Sequence, residues 1–574
     1  MEQKLTSLIA ILQERAKNQP HQLAYRFLKD GEQEEVSMTY EMLDRRARSI
    51  GARLQALTQS GDRVLLLLPQ GLDFIAAFYA CLYAKTIAIP VIPPHPVQLE
   101  KSLSAAFRIM ADAKPTAALL NTPLLEAIQS HPAIWDQFKN LNLLVAESEI
   151  PDVWADKWQL PSIQQSDLAF LQYTSGSTSS PKGVMVSHGN LLHNLGIIET
   201  STGLNHKSQP VFWLPPYHDM GLISGILQSV YTGYTVTLLP HLMFLQRPFR
   251  WLQAITRFQA TLSGGPNFAY DLCLRKIKPE QRAQLDLSSW EIAFNGAEPI
   301  YPKTLDQFAE YFAPCGFRRE AFFPCYGLAE ATLMVVGGPK GRLPPMTNLV
   351  KAALEENKVL IAPESGPDTR TLVSAGQNMG KQNIRIVDPE TGKRCHPNQI
   401  GEIWVSGPSI AHGYWNQASE TASIFGAFLS YPEEGPFLRT GDLGFQLKEE
   451  LYITGRLKNL IIIDGKNHYP QDIERTVESV HPAISPAGCA VFSMEDSGKE
   501  RIVVVVEIQQ KLLPQPPALL AAIRKSVSEH HDLAVYDIKL CLPGSIPRTT
   551  SGKTKHFLCK KNYLAGTLKE ITFP

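Results

Sequence analysis

Nowhere in this sequence do cysteines stand in C-x-x-C spacing, although eight are scattered between Cys81 and Cys559. Neither a zinc site nor a disulfide framework is suggested, and a reducing, cytoplasmic compartment is the simplest expectation. Net charge is missing too, since 55 Lys and Arg face 55 Asp and Glu. That balance gives no electrostatic ground for nucleic acid or an anionic membrane as the main partner. No apolar run is long enough for a transmembrane segment. The nearest candidate, VLLLLPQGLDFIAAFYACLYAKTIAIPVIPP, is broken by Pro69, Gln70, Asp73 and Lys85, whereas a span needs about 20 apolar residues. A buried strand, a helix and a second buried strand account for it. The opening MEQKLTSLIAILQERAKNQP has no small-residue cleavage site and reads as an amphipathic surface helix, not a signal peptide. No repeat of fixed period is found, and no Walker A loop: Gly552-Lys553-Thr554 has Pro547 where that loop's first glycine belongs.

What is present fits a globular protein of more than one domain: 574 residues, 44% apolar and 19% charged. Apolar Leu43, Ala47, Ile50, Leu54 and Leu57 recur at helical spacing after Thr39. Strands at Val64–Leu68 and Ile87–Ile92 then flank a helix over Leu72–Ala84. A helix carrying Leu99, Leu103, Phe107 and Met110 follows, with strands at Ala117–Leu120 and Leu143–Ala146. Such alternation predicts an α/β chain, its layers built around a parallel or mixed sheet. Residues 339–381 are rich in Pro, Gly, Lys and Glu and read either as a long insertion or as a set of short strands. A boundary is expected at Gly455–Asn459. It separates a large N-terminal domain of several subdomains (1–457) from a small, mobile α+β C-terminal domain (458–574). The small domain should contain a helix near Gln471–Val480, a strand over Arg501–Ile508 and a helix over Pro517–His530.

The most informative segment is LAFLQYTSGSTSSPKGVMVSH, residues 168–188. A strand-like run ends at Tyr173. Thr174, Ser175, Gly176, Ser177 and Thr178 then lead to Pro181-Lys182-Gly183. Hydroxyls, exposed backbone N–H groups and one lysine are what triphosphate oxygens need. Composition alone is equally compatible with a solvated linker. The order of residues is more specific: YTSGSTSSPKG resembles the phosphate loop of the adenylate-forming family (acyl-CoA synthetases, adenylation domains, luciferases). One departure is Ser179, where many members have glycine.

Further segments resemble that family in the same chain order, from about residue 20 to 560. LPPYHDMG, residues 214–221, resembles the segment at the carboxylate end of the acyl pocket, which implies that His218 positions the substrate. Asn295-Gly296-Ala297-Glu298-Pro299 resembles the loop on which adenine rests. Cys325-Tyr326-Gly327-Leu328-Ala329-Glu330 resembles the motif whose aromatic packs on adenine and whose glutamate binds Mg²⁺. Asp442, in LRTGDLG, and Arg456 are implied at the ribose, Lys458 at a hinge, and Lys553, in PRTTSGK, as the catalytic lysine. Taken singly, each has a plainer reading as a structural histidine, a turn or a solvated charge. The resemblance implies ATP and Mg²⁺ as cofactors and acyl-AMP formation from a fatty acid. The extended stretch after Glu330 and the segment GKNHYPQDIE, residues 465–474, look most like fatty-acyl-AMP ligases. Those enzymes hand the acyl group to a separate acyl carrier protein or a synthase carrier domain. An acyl-CoA synthetase and a non-catalytic acyl-adenylate-binding or fatty-acid-binding module remain the alternatives. The apolar run Gly221–Phe244 reads either as tunnel lining or as plain core.

Overall fold

In a computed structural model, residues 7–95, 99–147, 153–174, 181–463, 465–496, 499–509, 512, 515–549 and 552–571 are described. The apolar runs of the first third become a six-stranded sheet. Its order is Asn142–Val145, Ala117–Leu120, Arg63–Leu67, Ile87–Pro90, Leu168–Thr174 and Lys182–Ser187. All neighbours are parallel except the last pair, an antiparallel hairpin in which Thr174 pairs with Lys182. Val64–Leu67 and Ala117–Leu120 are wholly buried, as strands covered on both faces must be. The helix after Thr39 spans Tyr40–Leu57, capped by the Thr39 side chain, which accepts from Met42 N–H. Its Leu43, Ala47, Ile50 and Leu54 turn inward as their spacing predicts, while Leu57 stays exposed.

A nine-stranded sheet forms the second layer. Leu262–Gly265, Ile292–Asn295 and Phe322–Gly327 run parallel, and the other six strands pair antiparallel. Trp251 and Trp290 fill the core beside the three parallel strands, with Trp290 Nε1–H donating to Ile292 O at 2.8 Å. The helix His188–Thr202 joins the two sheets. Buried Asn194 donates to Met334 O at 3.0 Å and accepts from Met334 N–H at 3.1 Å.

Within 339–381 the short-strand alternative holds. Met346–Val350 and Thr369–Val373 form an antiparallel pair, and Gly376–Asn378 joins the nine-stranded sheet. Gly221–Phe244 starts as a π-helix, Met220–Leu227, whose Leu222, Ile223 and Leu227 are fully buried in the main core. A smaller domain closes the chain. The three-stranded sheet Ile484–Asp496, Lys499–Ile508, Val535–Cys541 packs against helices Pro470–Val480 and Pro516–His531 around its own apolar core. Among the described residues, no helix is long and apolar enough to cross a membrane.

His188 opens the joining helix, 2% exposed, and its Nδ1 has no hydrogen-bond partner. Burial pushes its imidazole down to about 4, against an opposing pull from Asp167. Between that value and its ordinary 6.5 the unfolded chain binds the proton and the folded one does not, so stability falls as pH drops through this window. At 1.36 kcal/mol per unit the loss is on the order of 3 kcal/mol. His188→Gln should flatten the stability profile between pH 4 and 6.5, read by urea denaturation. An unchanged slope would mean that other groups set it.

Candidate active site

The three parallel strands of the second sheet end in register, Gly265 beside Asn295 and Asn295 beside Pro324. Open α/β sheets place ligands at the carboxyl ends of such strands. Two turns leave from here. In the first, a Cβ on Gly296 would meet Cys325 O and Sγ at 2.7 Å, and Ala297 has φ +68°. An alanine in left-handed backbone is strain held by its surroundings. Glu298 turns back, and its carboxylate accepts Phe268 N–H in the first turn of helix Asn267–Lys276. In the second turn, a Cβ on Gly327 would lie 1.7 Å from Leu333 O, so only glycine fits.

Beyond Gly327 the chain presents Glu330, whose Oε1 accepts Tyr414 O–H at 2.8 Å. Tyr414 belongs to a segment laid along the Lys182–Ser187 strand. His412 N–H donates to Met185 O, Met185 N–H to Gly413 O, and Trp415 N–H to Gly183 O, at 2.8–2.9 Å. Lys182 Nζ lies 5.0 Å from the centroid of the Tyr414 ring and forms an ion pair with Glu420. Thr174 sits opposite Lys182 across the hairpin, while Ser175, Gly176, Ser177 and Thr178 lie outside the described residues. Tyr414 and Glu420 were missed in the sequence. The only local signal was the aromatic pair in GYWN, because their relevance comes from contacts with Glu330, 84 positions from Tyr414, and Lys182, 238 positions from Glu420.

A third group lies on the antiparallel strands Leu438–Leu447 and Glu450–Arg456, where Asp442 pairs with Arg456. Buried Asp442 accepts Tyr326 O–H at 2.8 Å and Arg456 Nε–H at 2.9 Å, so both carboxylate oxygens are engaged. The small domain supplies Lys553, whose loop closes through Thr549 N–H to Lys553 O at 2.7 Å. Burial and then Arg456 push the Lys553 ammonium below its ordinary value, while Asp219, Glu298 and Asp442 pull it back. Burial lifts the Glu298 carboxyl to about 7 and raises that of Asp219. His218 is pushed down to about 4 by burial and then by Lys553, so near pH 7 it is neutral and can donate one hydrogen bond and accept another. Lys553, His218, Glu298, Asp442 and Arg456 thus gather in one region, with Lys182 and Glu330 linked through Tyr414. Among the described residues no group of three or more His, Cys, Asp or Glu could hold a metal alone.

Known proteins resemble this chain over almost its whole length. A medium-chain-fatty-acid–acyl-carrier-protein ligase, JamA, of Moorena producens (strain JHB) is 44% identical over 99% of this chain and 96% of its own. A putative fatty-acid–CoA ligase of Mycobacterium tuberculosis (strain H37Rv) is 37% identical over 97% of this chain and 98% of its own. The crystal structure of a fatty acyl-adenylate ligase of Legionella pneumophila, in complex with acyl adenylate and pyrophosphate, superposes with a TM-score of 0.76. It is 42% identical, covering 97% of this chain and 96% of that one. Residues 458–572 match the model described as the AMP domain of Disco-interacting protein 2-like proteins, and residues 12–415 match that of the AMP-binding enzymes. The chain belongs to the AMP-binding enzyme family.

Proposed function

We propose that this chain activates a medium- or long-chain fatty acid with ATP and passes the acyl group to the phosphopantetheine thiol of a separate acyl carrier protein. The observation that carries the reading is Lys553, held by the small domain among Asp219, Glu298, Asp442 and Arg456. The carrier-protein ligase and the acyl-adenylate complex among the similar proteins support the same assignment. The free cysteines, eight in all, suit a cytoplasmic setting.

A fatty-acid carboxylate oxygen attacks the α-phosphorus, the bond from the α-phosphorus to the α,β-bridging oxygen breaks, and pyrophosphate leaves with that oxygen. Positioning and charge neutralisation then supply most of the catalysis. Lys182, Thr174 and the hydroxyl loop of Ser175, Gly176, Ser177 and Thr178 hold the β- and γ-phosphates. Mg²⁺ bound with the nucleotide at Glu330 would neutralise phosphate charge. Gly296, Ala297 and Gly327 bring backbone close to adenine, Tyr326 packs on it, and Glu298 fixes that loop through Phe268 N–H. Asp442, already oriented by Tyr326 and Arg456, turns toward the ribose hydroxyls. Neutral His218 orients the incoming carboxylate, and Lys553 bridges that carboxylate and the α-phosphate. In the second half-reaction the carrier thiolate attacks the acyl carbonyl and AMP departs.

Lys553→Ala should lower fatty-acid-dependent pyrophosphate exchange by on the order of 10²–10³ while leaving ATP binding nearly intact, because the contact strengthens as charge develops. Exchange at the wild-type rate would remove Lys553 from the mechanism. Asp442→Ala should instead raise KM for ATP with a smaller effect on kcat, since ribose contacts are alike in ground and transition states. An unaltered KM would put the ribose elsewhere.

Acceptor choice is linked to the Met346–Val373 hairpin region. Arg370 forms an ion pair with Asp472 at 3.2 Å and lies 4.8 Å from the Tyr469 ring centroid. Asn467 Nδ2–H donates to Glu355 O at 3.0 Å nearby. These contacts favour one orientation of the small domain, and a carrier that binds the other orientation better would relieve the bias. Arg370→Ala should raise acyl-CoA formation from free CoA roughly tenfold, the effect of about 1.4 kcal/mol. Normal adenylation with no gain in acyl-CoA would show that this contact is not the gate.

A further inference from the structure

Glu420 has no part in the roles given so far, yet it faces the lysine on which phosphate binding depends. It stands in the first turn of helix Ala418–Phe425 and forms an ion pair with Lys182 Nζ. The lysine side chain is only 11% exposed and the glutamate 35%. Their meeting is built into the fold. Thr421 Oγ1 accepts Tyr414 N–H at 2.9 Å, which fixes the helix to the segment paired with the Lys182 strand. Asn416 Nδ2–H donates to Asp112 O at 2.9 Å and anchors the same segment from the other side. Beneath Nζ lies the Tyr414 ring, whose hydroxyl is committed to Glu330. The lysine is thus confined between an aromatic face and a carboxylate.

We propose that Glu420 is an internal competitor for the phosphate anions at Lys182. It neutralises the lysine while the phosphate site is empty, yields it to the incoming triphosphate, and reclaims it as pyrophosphate departs. This rests on the adenylation reading above and adds to it a residue that governs phosphate affinity and product release. Two physical facts support the exchange. A mostly buried ammonium without a partner is costly, so an empty site needs a counter-charge. A carboxylate and a phosphate around one lysine repel each other, so the two anions displace one another. The apparent dissociation constant equals the intrinsic one divided by the fraction of lysine that is free, so a pair closed nine times in ten weakens phosphate binding roughly tenfold. The same factor applied to pyrophosphate speeds its loss and draws adenylation forward.

Glu420→Gln keeps the shape and removes the charge. Titration calorimetry of the full chain with magnesium pyrophosphate should show binding about three- to tenfold tighter in Glu420→Gln than in the wild type, and tighter also in Glu420→Ala. Lys182→Ala combined with Glu420→Gln should bind pyrophosphate no more tightly than Lys182→Ala alone, since the effect passes through the lysine. Unchanged affinity in both folded Glu420 variants would overturn the proposal. So would weaker binding, which would make Glu420 a support for Lys182 and not its competitor. If the wild-type chain neither binds pyrophosphate nor exchanges it into ATP, the adenylation reading itself fails, a result separable from either outcome at Glu420.

Discussion

Residues 412–415 lie along the outer edge of the Lys182–Ser187 strand, joined to it by backbone hydrogen bonds to Gly183 and Met185. A strand edge left open would offer unpaired N–H and C=O groups to any other chain. Here the edge is closed by a segment that also carries site residues. Tyr414 points from it to Glu330, Thr421 fixes the next helix to it, and Ala411 N–H donates to Glu330 O at 2.9 Å. The first sheet supplies Lys182 and the second supplies Glu330. This one strip of backbone ties the two together, so the placing of Lys182 relative to Glu330 becomes a property of sheet geometry.

The second constraint is electrostatic. Asp219, Glu298 and Lys553 share a region with Asp442 and Arg456, and burial disfavours the charge on each of the first three. The small domain brings one ammonium into a surplus of carboxylate, and each sign lowers the cost of the other. Nucleotide phosphates would change that balance more than any side-chain movement, because they add several negative charges beside an ammonium already depressed by its surroundings.

Much of this architecture was legible beforehand. The strand Ala117–Leu120 appears with the expected bounds, since four consecutive apolar residues between polar turns leave little choice but a doubly buried strand. The helix after Thr39 follows its apolar spacing, although Leu57 falls on the last turn, where no neighbouring element remains to cover it. Ile92 was read as the end of a buried strand and is exposed, because pairing stops at Pro90. Motif order singled out Tyr326, Asp442, Arg456 and Lys553, and the fold brings them together across more than two hundred residues of chain. What stayed hidden were relations between motifs. Nothing in GYWNQASE announces that its tyrosine and glutamate bracket a lysine on a strand far upstream. The backward turn of Glu298 toward Phe268 was equally invisible, since it depends on where a neighbouring helix begins.

The small domain has an apolar core of its own, separate from the main core of the preceding residues. Two cores joined by a short connection at Leu457–Asn459 need not melt together. Lys553 is carried by the small domain, while Asp442 and Glu298 are carried by the rest of the chain. A ligand held by both lowers the free energy only of the state in which both are folded. Heating the free chain can therefore give two separate transitions where the acyl-adenylate-bound chain gives one, with the thermal cooperativity of the molecule supplied by its own reaction intermediate.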